Sequence, residues 1–363
     1  MFDTNILKEE ERAVFALRAL YRQYGYLPYK MSKFEPYEYY IQNKDFLVSD
    51  RVITFTDTNG RLLALKPDVT LSIVKNAQEL PGCKQKVCYN ENVFRVSENT
   101  RQFKEIMQAG LECIGDIDLY DIFEVISLAG QSLELICQDF VLQVSHLGVL
   151  SELLEQTCPD KAFCQKAIGF IKGKNTHDLS RLCRQYGVED EALVQAVTAY
   201  GPRSEVLARL KATGCKLQAL EELEALSCLL DRLPWGDRVV FDLSVVNNLN
   251  YYNGFVFQGF LSGICEKVLA GGQYDRLMQK LEHRTGAIGF ALYLDLLEQL
   301  PAEEPSWDVD VLLVYDPQTD KAALAAAVAE LTGQGKTVSA QKAIPQKLRY
   351  RQKLTLTKEG TIC

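Results

Sequence analysis

The chain is poor in histidine and in long apolar runs and has no excess of positive charge, and each lack excludes a class of function. Only three histidines occur among 363 residues: His146, His177 and His283. They stand far apart in sequence, so a His-based metal cluster or catalytic triad has little raw material. No apolar stretch approaches the ~20 residues needed to cross a bilayer. The N-terminus, MFDTNILKEEERAVF, lacks the basic start and apolar core of a secretory leader. Together these features predict a cytoplasmic protein with no membrane partner. The formal net charge is −8, whereas proteins that hold nucleic acid usually carry a basic, phosphate-neutralising surface. Binding of tRNA is therefore not expected.

Cysteine runs against this scarcity, with eleven in the chain. The count is odd, and Cys113, Cys137, Cys183 and Cys228 fall singly in helix-like or strand-like stretches, which predicts free thiols rather than disulfides. Cys83 and Cys88 are five apart, with no second Cys or His pair at ligand spacing, so neither a metal nor another cofactor is expected.

Residues 6–24 repeat apolar side chains at three and four, with acids early and bases late, which predicts an amphipathic helix ended by Tyr24-Gly25-Tyr26. Thr58-Asn59-Gly60 between RVITFT (51–56) and LLALK (62–66) signals a hairpin. KVCYNENVFRV (86–96) and KEIMQAGLECIG (104–115) read as a second strand pair, joined by a loop at Ser97–Arg101, and Asp118 to about Cys137 as a long helix. Further strands are expected at 140–146, 238–246, 254–260 and 287–292, with Ala270-Gly271-Gly272 as a turn and LDLLEQL (294–300) as a closing helix. Helical patterns dominate from about 150 to 232. Pro301–Pro305 reads as a linker, followed by a strand (VDVLLVY) and a helix ended near Gly333. The expected plan is α+β: an antiparallel sheet flanked by helices in a core of residues 1–303, with a helical insertion at about 150–232, then a short α/β domain over 304–363.

Four segments carry a resemblance: FTDTNGRLLALKPDVT (55–70), VFRVSENTRQFKEIMQAGLECIG (93–115), NNLNYYNGFVFQ (247–258), and AGGQYDRL followed by GAIGFALYLDLL (270–297). In order and spacing they resemble the catalytic core of histidyl-tRNA synthetase, a class II aminoacyl-tRNA synthetase, over about residues 5–300. The resemblance implies the class II antiparallel sheet and a histidine pocket. Asp68 and Thr70 would hold the α-amino group, since a desolvated ammonium needs acceptors. Arg95 would meet the carboxylate, which suits a guanidinium fork. Gln108 and Glu112, four apart on one strand, share a face and would point into the pocket, with the glutamate reading the imidazole. Tyr251 and Tyr252 would form the imidazole end. As neighbours on a strand, only one of them is expected to enter directly.

Departures from the family fall on the groups that do chemistry. Where synthetases carry an arginine in the histidine-specific motif, this chain has Asn247. Asp295 and Leu296 stand where the third class II signature has Glu-Arg. Tyr293 replaces a small residue that makes room for nucleotide, Gln273 replaces the arginine of GGRYDGL, and Ser32 replaces the proline of the first signature. Losing single electrostatic groups of this kind costs about 10² to 10³ in rate each, so adenylate formation is not expected and no residue is assigned as catalytic. The tail is about half the length of the family's anticodon-binding domain and is similar to a truncated form of it.

A kept amino-acid site beside a dismantled nucleotide site resembles the family of regulatory subunits of short-form ATP phosphoribosyltransferase. That resemblance implies histidine as an effector, a short catalytic subunit as partner in a hetero-oligomer, a homodimer of this chain within it, and a role in the first step of histidine biosynthesis. Two other functions fit the same motifs: an active histidyl-tRNA synthetase-like ligase, and a stand-alone histidine-sensing module.

Overall fold

The helix Glu9–Gln23 starts where Lys8 gives its backbone N–H to the Glu11 carboxylate and stops at Tyr24, where Gly25 takes a φ of +83°. It lies on one face of a nine-stranded sheet in a computed structural model that describes residues 8–44, 52–78, 82–96, 101–214, 218–246, 251–300, 307–358 and 361. The expected linker at 301–305, and residues 97–100 of the expected loop, lie outside these.

Across the sheet the strands run Leu27–Pro28, Gln85–Val96, Phe103–Gly115, Gly286–Tyr293, Leu269–Gln273, Phe255–Leu261, Phe140–His146, Val239–Asp242 and Tyr200–Pro202. The pairing is antiparallel except at two places: Leu27–Pro28 with Gln85–Val96, and Phe140–His146 with Val239–Asp242. The centre is therefore the antiparallel platform that the residue patterns predict.

Alternation divides the platform into two faces. On Phe103–Gly115 the side chains of Ala109, Leu111 and Cys113 enter the main core with Leu17 and Tyr21 of the first helix and Ile122, Val125, Ala129 and Leu133 of the helix Leu119–Ile136. Burying each such aliphatic side chain contributes roughly 1.5–3 kcal/mol. That long helix is started by Asp118, whose carboxylate accepts from the Tyr120 and Asp121 amides. Gln108, Gly110, Glu112 and Ile114 point to the opposite face.

A small antiparallel sheet of Phe34–Pro36, Leu62–Leu65 and Thr54–Thr56 flanks that second face. Its hairpin turns at the expected Asn59-Gly60, where Asp57 Oδ1 accepts the amides of Asn59 and Arg61 and Gly60 adopts a φ of +78°. The chain then enters the helix Val69–Lys75, capped by Asp68.

Two expectations need correction. Ala270-Gly271-Gly272 is not a turn but the middle of the strand Leu269–Gln273. A Cβ on Gly271 would meet Phe290 and Phe257, and one on Gly272 would meet Tyr252, so these glycines serve close approach and not chain reversal. The strand expected at 238–246 ends at Asp242, whose carboxylate turns the chain by accepting the Ser244 amide. The closing helix expected at 294–300 is present as the 3₁₀ helix Leu294–Gln299.

The region between Leu147 and Leu230 contains the helices of the insertion and also Tyr200–Pro202, which supplies the sheet's last strand. The nine cysteines among the described residues are free thiols. Among the same residues, no helix is long and apolar enough to cross a membrane.

The chain divides into two compact units, Met1–Leu300 and Pro301–Cys363. The second is a three-stranded parallel sheet ordered Val338–Gln341, Val309–Tyr315, Tyr350–Leu356, with the helix Lys321–Gly333 packed on Val311, Leu313 and Leu356.

Candidate ligand-binding site

Glu112 is the centre of the polar face. It is 1% exposed, and both of its carboxylate oxygens have donors. Thr70 Oγ1 donates to Oε1 at 2.8 Å and Tyr274 Oη donates to Oε2 at 2.6 Å. Burial pushes the Glu112 carboxyl up to about 8, against the pull of those two donors, and the nearby Asp68 carboxylate adds to the rise. Three elements converge here: Thr70 from the first turn of Val69–Lys75, Glu112 from its strand, and Tyr274 from the start of the helix Asp275–Lys280.

Space for the carboxylate comes from the neighbouring strand. Gly289 is the residue opposite Glu112, and a Cβ there would overlap Glu112 Oε2. Ala291, the next residue on that face, stands opposite Gly110, and Ala270 and Gly272 continue the small-residue floor onto the following strand.

Asp68 and Arg95 form a second polar group. Asp68 caps its helix by accepting the Leu71 amide at 3.0 Å. Burial raises its pKa, opposed mainly by Arg95. Arg95 Nε donates to the Pro67 carbonyl at 3.0 Å, and its Nη2 lies 4.0 Å from Asp68 Oδ2. Tyr293 belongs to this group. Burial raises its hydroxyl pKa, and the facing Arg95 guanidinium opposes the rise by charge and hydrogen bonding. Lys66, fully buried, pairs with Glu91 at 2.9 Å beside it.

Tyr251 and Tyr252 do not lie on a strand, and the alternation expected of them fails for that reason. They sit in the turn before Phe255–Leu261 with ring centroids 4.6 Å apart. Tyr251 packs on Tyr274 at 5.8 Å and reaches Thr70, while Tyr252 packs over Gly272. Both therefore belong to the site. The turn is pinned by Asp275, which accepts from Asn253 Nδ2 at 2.9 Å and from the Ala287 amide at 3.0 Å, and returns its own N–H to Asn253 Oδ1 at 2.8 Å.

Asp68, Thr70, Arg95, Glu112, Tyr251 and Tyr252 thus come together. Gln108 is buried on the same strand face, opposite Tyr293 and Glu91, four residues along the strand from Glu112. Sequence reasoning assigned no role to Tyr274, Gly289 or Lys66. Tyr274 lies within the AGGQYDRL segment, but its partner Glu112 is 162 positions away.

The family model for histidyl-tRNA synthetase matches residues 5–297. A curated relative, the ATP phosphoribosyltransferase regulatory subunit of Oceanobacillus iheyensis, is 31% identical over 314 residues, covering 83% of this chain and 77% of that protein. The chain belongs to the histidyl-tRNA synthetase-like family of ATP phosphoribosyltransferase regulatory subunits. Among solved structures, the regulatory subunit/histidyl-tRNA synthetase protein from Bacillus halodurans superposes with a TM-score of 0.80 at 21% identity, covering 98% of this chain and 97% of that one. A chain of the ATP phosphoribosyl transferase (HisG:HisZ) complex from Thermotoga maritima superposes with a TM-score of 0.64 at 21% identity, over 78% and 97%. These likenesses show the shared class II fold.

In this member of the regulatory-subunit family, the described residues read above as departures from the synthetase pattern make contacts within the protein itself. Gln273 Oε1 accepts the Phe255 amide at 2.8 Å. Asp295 Oδ1 accepts the Met107 amide at 3.0 Å, and Leu296 packs against the main core. Ser32 Oγ donates to the Phe34 carbonyl at 2.7 Å on the surface. Asn247 lies outside the described residues.

Proposed function

We propose that the chain serves as the non-catalytic regulatory subunit of a short-form ATP phosphoribosyltransferase, and that its site binds free histidine as the feedback effector. The observation that carries the reading is Glu112, buried with one donor on each oxygen. At neutral pH a carboxyl with its pKa near 8 is largely protonated. Thr70 and Tyr274 already donate to its two oxygens, so its own proton is left for a ligand. A neutral imidazole offers one acceptor nitrogen and one N–H, and can meet the carboxyl in either protonation state. The Asp68 and Thr70 oxygens suit the ammonium, and Arg95 suits the carboxylate.

The partner is a short catalytic chain that performs the phosphoribosyl transfer. The name of the Oceanobacillus relative and the two-component Thermotoga assembly support this. A homodimer of the chain inside that hetero-oligomer, in the cytosol and without tRNA, follows from the same reading. Regulation is a coupling free energy. Histidine binds one quaternary state better than the other, and each tenfold preference corresponds to about 1.4 kcal/mol.

Isothermal titration tests the site. Histidine is expected to bind the chain or its complex, with binding lost in Glu112→Ala. Absence of binding in both, or equal binding by the variant, overturns the reading. Pyrophosphate exchange with ATP and histidine is expected to stay at background; exchange at synthetase-like rates would identify a ligase instead.

A further inference from the structure

The segment that leads into Asp68 is tied to the strand Gln85–Val96 at three points. Phe94 donates its backbone N–H to the Lys66 carbonyl at 2.8 Å. Arg95 Nε donates to the Pro67 carbonyl at 3.0 Å, and Lys66 Nζ donates to Glu91 Oε2 at 2.9 Å. On its other side Lys66 gives its own backbone N–H to the Lys33 carbonyl at 2.9 Å. Both backbone groups of Lys66 are therefore committed, and its side chain has to find its partner nearby.

The Lys66 side chain is 0% exposed and that of Glu91 is 14% exposed. A buried ammonium is tolerated only beside an acceptor, and taking away its carboxylate leaves an uncompensated charge. Burial pulls the Lys66 ammonium below its ordinary pKa, and the Glu91 hydrogen bond and charge oppose the fall. Two other carboxylates share a field with Lys66: Glu35 and Asp68. Glu35 is already paired with Lys75 at 2.8 Å. Asp68 stands two positions further along the same tied segment. One of its oxygens accepts the Leu71 amide, and the other lies 4.0 Å from Arg95 Nη2, beyond hydrogen-bond reach. Asp68 is thus the carboxylate that Lys66 would take if Glu91 released it.

We propose that Glu91 is a positioning residue of the site: by holding the Lys66 ammonium it keeps the Asp68 carboxylate open to the ammonium of an amino-acid ligand, and so gives the site its demand for an α-amino group. This rests on the reading of the site as an amino-acid pocket. Glu91 acts through Lys66 and not on the ligand. Without it, the Lys66 ammonium becomes an internal competitor for the acceptor that the ligand needs. The competition touches one end of the ligand only, so a ligand without an amino group does not feel it.

The test titrates the full-length chain with two probes, L-histidine and imidazolepropionate, which is histidine without its amino group. The wild-type chain is expected to bind histidine about tenfold or more tightly than imidazolepropionate. Glu91→Ala is expected to lose about tenfold in histidine affinity while imidazolepropionate binding changes less than about threefold. Adding Lys66→Met to Glu91→Ala removes the competing ammonium and is expected to return histidine affinity to within about threefold of wild type. Glu91→Gln, which keeps the shape and loses the charge, gives the same reading if Glu91→Ala does not fold. A merely structural role would weaken both probes together and would not be reversed by a second deletion. The proposal is overturned if the wild-type chain binds the two probes equally, if the Glu91 variant keeps the wild-type ratio of affinities, or if Lys66→Met fails to restore histidine binding. Failure of the wild-type chain to bind histidine at all is a different result: it removes the pocket reading and the role of Glu91 with it.

Discussion

Gly289 stands directly opposite Glu112 in the antiparallel register, and the carboxylate occupies the space a side chain on that residue would need. The Leu111 carbonyl crowds the same point. One oxygen could swing away, but the backbone carbonyl cannot. Gly289→Ala is therefore expected to destabilise the chain by about 1–3 kcal/mol and to weaken histidine binding, because Glu112 has to leave Tyr274. Denaturant unfolding and titration of the same preparation check both. Wild-type values for both would contradict the packing described.

Glu112 makes stability depend on pH in a defined direction. Its folded pKa is raised from an ordinary 4.5 to about 8. The folded chain keeps a proton that the unfolded chain releases. The contribution is fully present below about pH 4.5 and is lost as pH rises through that interval, on the order of a few kcal/mol in all. Glu112→Gln removes the titration. The melting temperature of the glutamine variant relative to wild type is expected to climb between about pH 5 and pH 8. Parallel curves across that range would contradict it.

Tyr274 acts on the same group with the opposite sign. Its hydrogen bond to Oε2 favours the ionised carboxylate. Tyr274→Phe is expected to cost about 1.5–3 kcal/mol once Glu112 is ionised and less while it is protonated. Thermal unfolding near pH 6 and pH 9 reads this out, with the larger loss expected at the higher pH.

Asp275 connects the tyrosine turn to the floor through Asn253 and the Ala287 amide. Asp275→Ala leaves two donors without an acceptor, at a cost of about 1–3 kcal/mol. Because Tyr251 and Tyr252 precede Asn253, histidine affinity is expected to fall in Asp275→Ala and to fall less in Asp275→Asn, which keeps one acceptor oxygen. A histidine titration of the two variants separates them.

Local chemistry was legible from the sequence where the cause is local. The Asn59-Gly60 hairpin, the long helix after Asp118 and the strand pair on either side of residue 100 all rest on neighbouring residues. The glycines at 271 and 272 misled, because glycine serves two ends and nothing nearby says which; the close approach of Phe290 and Tyr252 is tertiary. The alternation assumed for Tyr251 and Tyr252 failed because those residues lie in a turn, where a period of two has no meaning. Tyr274 escaped notice because a buried tyrosine looks like core until its partner carboxylate is seen. Gln273, Asp295 and Leu296 could be read from sequence as lost synthetase groups. That they bond the Phe255 and Met107 amides and pack into the core is visible only in the fold.

The most direct test of the central claim is reconstitution. The chain is mixed with a short-form ATP phosphoribosyltransferase catalytic subunit, and phosphoribosyl transfer is followed with and without histidine. Transfer is expected to depend on this chain and to be inhibited by histidine, with inhibition lost in Glu112→Ala while uninhibited transfer persists. Transfer indifferent to this chain, or inhibition equally strong with Glu112→Ala, would contradict the account.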